Sequence, residues 1–257
     1  MTRAVLVRPP GPRLTDGLVT HIQRQPVDLD LARRQWENYV EVFAGRGWDV
    51  HQVPTAEDCP DAVFIEDTMV MFGGTAVMTR PGAPERRPEV DAVEAMVRTL
   101  GLPLQRVANV DAAAHLDGGD VLKIGRTVYV GRGGRTDDAG IAALATVIEP
   151  LGGTVIAVPV TRVLHLKSAV TALPDGTVLG WDPVVDETDV FDAYLSVPEE
   201  SGAHVVVLDP DTVLMATSAP RTASLLRERG LDVIAVDISE YEKLEGCVTC
   251  LSVRIRP

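Results

Sequence analysis

The sequence predicts an α/β fold, built as a ring of five small ββαβ-type repeats around a central active-site pocket. Three observations lead there. Short apolar runs of strand length alternate with helix-period stretches along all 257 residues. One order of signals recurs at a spacing of roughly 45–55 residues, a period that marks propellers and arrays. No low-complexity or linker-like run divides the chain, so 1–257 reads as a single domain. Each repeat is too small to bury its own apolar face, so five must pack on one another and close.

The elements follow in order. The first full copy opens at Ala62-Val63-Phe64-Ile65-Glu66-Asp67 and continues through Met69-Val70-Met71-Phe72. It turns at Gly73-Gly74, returns as Ala76-Val77-Met78-Thr79, and enters a helix over 90–100 that stops at Gly101. The second opens at Leu116-Asp117-Gly118-Gly119-Asp120, runs through Val121-Leu122-Lys123-Ile124, and turns at Gly125-Arg126. Thr127-Val128-Tyr129-Val130, a helix over 138–151 and the strand Thr154-Val155-Ile156-Ala157-Val158 complete it. A third opens at Leu164-His165-Leu166-Lys167-Ser168 and turns at Pro174-Asp175-Gly176. A fourth holds Val213-Leu214-Met215, a helix over 221–229 and the strand Val233-Ile234-Ala235-Val236. The fifth is split by the termini. Cys250-Leu251-Ser252-Val253-Arg254 and Ala4-Val5-Leu6-Val7 are its expected strands, and 31–43 its helix.

Composition excludes several functions. The net charge of −13 repels nucleic-acid backbones and anionic membrane surfaces, and it favours a small cationic ligand. No apolar run reaches the length of about 18 residues that a membrane helix needs. The short apolar start, broken by Pro9-Pro10, is not a signal peptide, and a cytoplasmic protein is expected. Three cysteines make no disulfide framework. The oligomeric state is left open, a homodimer included.

A closed ring would aim the kink residues of successive copies into one pocket: Glu66 and Asp67, Asp117 and Asp120, His165, and Cys250. A thiol, an imidazole and a carboxylate suffice for covalent catalysis. Additional carboxylates beside a thiol would raise its pKa and repel an oxyanion, but they suit a substrate that is itself a cation. Asp117 and Asp120 both remain candidates to orient the histidine. His115, two residues from Asp117, is the rival base.

These segments resemble the dimethylarginine dimethylaminohydrolase family. The resemblance rests on Phe64-Ile65-Glu66-Asp67-Thr68, Leu116-Asp117-Gly118-Gly119-Asp120-Val121-Leu122, Leu164-His165-Leu166-Lys167-Ser168 and Leu244-Glu245-Gly246-Cys247-Val248-Thr249-Cys250-Leu251-Ser252. The Thr79-Arg80-Pro81-Gly82-Ala83 loop and Arg86-Arg87 add to it. The resemblance implies a five-bladed α/β propeller of the guanidine-modifying (pentein) superfamily. It also implies hydrolysis of asymmetric dimethylarginine or monomethylarginine to citrulline and a methylated amine, through a covalent S-alkylthiouronium on Cys250. By the same resemblance His165 protonates the departing amine and then activates water, and Asp117 orients it. Asp67, with Glu66 nearby, holds the guanidinium nitrogens. Asp61 and a backbone carbonyl near Leu18 meet the α-amine, and Arg86 and Arg135 pair with the α-carboxylate. Neither a metal nor a cofactor is required.

Two other readings stay in view. Cys247 and Cys250 form a Cys-x-x-Cys pair of redox or zinc type, but a redox pair normally opens a helix and a zinc site needs two further ligands. Deimination of free arginine is the neighbouring activity in the superfamily. Deiminases carry an acid two residues after the catalytic histidine, where this chain has Lys167. The Pro/Gly-rich stretch 9–17 is the expected lid.

Overall fold

The computed structural model describes residues 3–256. Five three-stranded sheets make up its β structure, and each has the same internal order. The sheets comprise β1 (Ala4–Val7) and β2 (Asp49–Gln52); β3 (Met69–Phe72), β4 (Thr75–Met78) and β5 (Leu104–Arg106); β6 (Val121–Ile124), β7 (Thr127–Arg132) and β8 (Thr154–Pro159). They continue with β9 (Val170–Ala172), β10 (Val178–Gly180) and β11 (Tyr194–Ser196); then β12 (Val205–Asp209), β13 (Thr212–Ala216) and β14 (Asp232–Val236). Finally β15 (Val253–Ile255) returns to join β1 and β2. In every sheet the first two strands are antiparallel and the last two parallel.

The parallel step requires a crossover, which a helix normally supplies. Helices Leu29–Gly45, Glu89–Thr99, Asp138–Ile148 and Pro220–Glu228 do so in four of the sheets. They lie within two residues of the expected spans, save that 149–151 is a separate tighter turn. Asp28 and Asp137 cap two of them by accepting the amides of Leu31 and Gly140. The β10–β11 sheet departs from the repeat. Its crossover holds only the short turn Asp182–Val184, and Phe191 fills the space against Tyr129 with ring centres 5.1 Å apart.

Closure comes from the two ends of the chain. β1 pairs with β15 in the register Ala4↔Ile255, Val5↔Arg254 and Leu6↔Val253. Apolar layers between neighbouring sheets and helices then run around the ring, as where Val70 and Val77 meet Val121, Val128 and Val130. Among the described residues, no helix is long and apolar enough to cross a membrane.

The kinks are single helical turns placed just before the first strand of a sheet. Ile65–Thr68 precedes β3, Gly118–Asp120 precedes β6, Leu166–Ala169 precedes β9, and the turn 248–251 precedes β15. This corrects the expectation that Cys250 begins the last strand. Cys250 lies in the turn, and its amide donates to the Cys247 carbonyl at 3.1 Å. Alternating apolar residues after it suggested strand from Cys250 onward, but pairing with β1 begins only at Val253.

Candidate active site

Cys250, His165, Asp67, Asp61, Arg135 and Glu245 line one small cavity of about 20 Å³. Their positions come from the turns just described. His165 immediately precedes the Leu166–Ala169 turn, and its Nε2 lies 2.9 Å from Asp117 Oδ2. The other oxygen of Asp117 accepts the Gly82 amide at 2.8 Å, so the carboxylate cannot swing away from the ring. Asp120, the alternative orienting group, instead accepts the Leu166 amide at 2.9 Å and the Thr136 hydroxyl at 2.6 Å. Asp117 orients His165, and Asp120 holds the turn that carries it.

Asp117-Gly118-Gly119-Asp120 shows why glycine is needed here. A β-carbon on Gly118 would sit 2.0 Å from the Glu66 carbonyl oxygen, and one on Gly119 would sit 2.7 Å from His165 Nδ1. The missing side chains let three turns converge on one point, with the Gly119 amide donating to Asp67 Oδ1 at 2.8 Å.

The electrostatics follow from burial and these contacts. Burial alone would pull His165 toward its neutral form. The carboxylates of Asp67, Asp120 and Asp117 overcome this and raise it to about 9. Asp67 is buried, which favours its neutral form, but His165 and Arg86 lower it to about 2. Asp120 is pushed up to about 6 by burial, against the pull of His165 and the Thr136 hydroxyl. Burial also raises Asp61, opposed by Arg86 and by the Leu18 amide, which reaches both its oxygens at 3.0 and 3.2 Å.

Cys250 sits beside a second thiol. Its Sγ is 3.2 Å from Cys247 Sγ and accepts the Cys247 amide at 3.4 Å. The Cys250 thiol is raised well above its usual range, first by the Cys247 contact, then by burial, with Glu66 and Asp67 adding to it. Cys247 moves the other way, chiefly through the hydrogen bond from Cys250.

Several expectations need correction. Glu66 is not beside Asp67 on the cavity wall. Its Oε1 is held by Lys167 Nζ at 2.6 Å and Arg254 Nη2 at 2.8 Å, and it lines a separate, larger cavity. Adjacent residues on a tight turn point apart, which the motif does not display. Arg86 does line the cavity, but its Nε and Nη2 bond Glu89, Nη2 also reaches the Asp61 and Phe64 carbonyls, and Nη1 bonds Asp67 at 2.5 Å. It fixes Asp67 instead of standing open for a substrate carboxylate. Arg135 is different: it is half-buried on the cavity wall, and among the described residues no carboxylate lies within ion-pair distance. His115 turns outward to Arg87 and Asp137 and does not line the cavity. Of the expected lid 9–17, Leu14 is fully buried in the core. The covering strip is the next segment, where Leu18 is latched to Asp61 and the amides of Thr20 and His21 to Glu245 at 2.6 and 2.7 Å.

Glu245 was missed as a functional candidate. It is a non-glycine residue at φ +60°, a conformation that only surrounding contacts maintain. Glu89, which fixes Arg86, was also missed, because as the first residue of a helix it reads as an ordinary helix-start acid. Ligand atoms of Asp67, Asp117 and His165 lie within 4.8 Å of one another, the set that a divalent ion would engage. These atoms already hold each other and Arg86.

Comparison with known proteins bears on this constellation directly. The arginine deiminase family model matches residues 46–197. A dimethylarginine dimethylaminohydrolase from Streptomyces coelicolor is 56% identical over 99% of this chain and 98% of its own length. The enzyme of that name from Pseudomonas aeruginosa is 31% identical over 99% of this chain and 100% of its own. The chain belongs to the dimethylarginine dimethylaminohydrolase family. Within the family, the solved P. aeruginosa structure of a cysteine-to-serine mutant with citrulline superimposes with a TM-score of 0.90 at 30% identity, covering 99% of this chain and 100% of that one. The N-terminal domain of a cyanobacterial arginine dihydrolase, 20% identical, shares the fold with a TM-score of 0.88. The ring of five repeats expected from the sequence is thus the pentein α/β propeller.

Proposed function

We propose that this chain hydrolyses Nω-methylated arginine to citrulline and a methylated amine, with Cys250 as nucleophile. The observation that carries the reading is one small cavity holding a thiol, an Asp117-oriented imidazole and the ionised Asp67. Asp67 holds the guanidinium, whose carbon is a poor electrophile until oriented, and such orientation is worth roughly 7–11 kcal/mol of barrier. The bound cation offsets the carboxylates that raise Cys250, so the thiolate forms as substrate arrives. Cys250 attacks the guanidinium carbon. His165, charged at neutral pH, donates its proton to the departing amine, then accepts one from the water that releases citrulline. Asp61 and Arg135 meet the α-amino and α-carboxylate ends.

Turnover of free arginine is the competing reading, since the matching family model carries the deiminase name. Lys167, where deiminases have an acid, is occupied by Glu66 and offers no carboxylate to a second guanidinium nitrogen. Citrulline release from asymmetric dimethylarginine and from arginine, measured side by side, tests this. Faster turnover of arginine would overturn the substrate assignment.

A further inference from the structure

We propose that Cys247 and Cys250 form a reversible oxidation site, in which a hydroperoxide links them as an intramolecular disulfide and withholds the nucleophile. The two sulfurs are 3.2 Å apart on one tight turn. A disulfide holds them at about 2.05 Å, so side-chain rotation of roughly an ångström closes the gap. The other contacts of Cys247 Sγ, the Thr249 hydroxyl at 3.2 Å and the Lys167 carbonyl at 4.0 Å, leave it facing Cys250. The third cysteine is remote from the pair: Cys59 neighbours Arg8 and Glu89. Cys250 opens on the substrate cavity, which gives a small oxidant its route.

Their contact lowers the Cys247 thiol and raises that of Cys250, so of the two Cys247 is the easier to ionise. The thiolate attacks one oxygen of the hydroperoxide and breaks the O–O bond. It becomes a sulfenic acid, and an alcohol (or water) leaves. The neighbouring sulfur then attacks the sulfenic sulfur, the S–O bond breaks, and its proton leaves with the hydroxide as water. Two thiols and one hydroperoxide give one disulfide, one alcohol or water, and one further water. Two electrons pass from the sulfurs to the peroxide bond. Either order of attack gives the same product. Because the second thiol is already in contact, it intercepts the sulfenic acid before the irreversible sulfinic stage.

The test treats the full chain with excess hydrogen peroxide and follows intact mass, peptide connectivity and turnover. The wild type should lose two hydrogens, show a Cys247–Cys250 link, and lose turnover that dithiothreitol restores. Cys59→Ser should behave identically. Cys247→Ser should instead gain oxygen atoms at Cys250, and dithiothreitol should fail to restore it. Sulfinate at Cys250 of the wild type without a mass loss would overturn the proposal. So would a Cys247→Ser variant that recovers as fully as the wild type. The loss of turnover rests on Cys250 being the nucleophile, whereas the mass and connectivity readouts do not.

Discussion

Two cavities of the molecule differ at their mouths in size and in the balance of charge. One, of about 20 Å³, is lined by Cys250 together with Asp61, Asp67, Glu245, His165, Arg86 and Arg135. The other, of about 650 Å³, is lined by Lys123, Lys167, Arg254 and Arg256, with the carboxylates of Glu66 and Asp175 among them. Cations crowd there so closely that burial, together with Lys167, Arg254 and Arg256, pulls Lys123 down to about 7. Cationic side chains outnumber carboxylates four to two in the larger hollow and balance them three to three in the smaller, where Arg86 is already tied to Asp67 and Glu89. The thiol and the imidazole stand in the smaller cavity, against the usual expectation that the largest pocket is the site. Lys167, Glu66 and Arg254 form one ion-paired cluster on the wall of the larger cavity.

The comparison breaks most completely at the nucleophile. Cys250→Ser keeps the volume and the charges of the smaller cavity but removes the sulfur. Citrulline release should fall by about 10⁴-fold or more. Retained turnover would mean that this cavity does something other than covalent catalysis.

The next effect tests charge directly. Asp67→Asn keeps the shape and deletes one charge, leaving Arg86 paired with Glu89 alone on that side. A lost charge-bearing contact to the reacting group should lower kcat/KM by about 10²–10³-fold. A urea melt run in parallel separates this from loss of the buried pair. If kcat/KM changed no more than stability does, Asp67 would be a structural acid only.

How much of this was legible beforehand depends on what each residue reports. Four crossover helices and the closing role of the termini were readable, because apolar period and repeat spacing are local signals. Cys250, His165 and Asp117 were readable as a set, because each falls at the kink before a sheet. The shorter crossover of the β10–β11 sheet was not, since nothing in the run from Trp181 to Phe191 replaces the helical period with a stronger one. Glu66 and Asp67 look equivalent in sequence, yet a single helical turn sends one to each mouth. Arg86 reads as a free cation until Glu89 and Asp67 are seen to hold it. Which partner a buried charge takes is a long-range fact, and adjacent residues carry no trace of it.

A smaller effect concerns the wall of the larger cavity. Lys167→Met removes one of the two cations that hold Glu66 and leaves it with Arg254 alone. Breaking one buried charge-assisted hydrogen bond should lower unfolding stability by about 1–3 kcal/mol in urea denaturation. The kcat/KM should fall less than tenfold, because Lys167 touches neither Cys250 nor the substrate. A loss as large as that of Asp67→Asn would place Lys167 in the catalytic mouth after all.

The smallest effect concerns how finely the smaller cavity sets His165, the proposed proton donor. Asp120 does not contact the His165 ring, yet its charge is among those that raise His165 to about 9. In Asp120→Asn that support disappears while burial, which pulls the imidazole down, remains. The sign is therefore fixed: His165 loses its proton at lower pH, and the alkaline limb of the kcat profile moves to lower pH. The expected shift is up to about one pH unit, because Asp67 and Asp117 still face the ring. Asn retains an oxygen for the Leu166 amide, so the turn that carries His165 keeps its anchor. A limb that moved upward, or stayed fixed while kcat fell, would show that Asp120 acts only through that anchor and not through its charge.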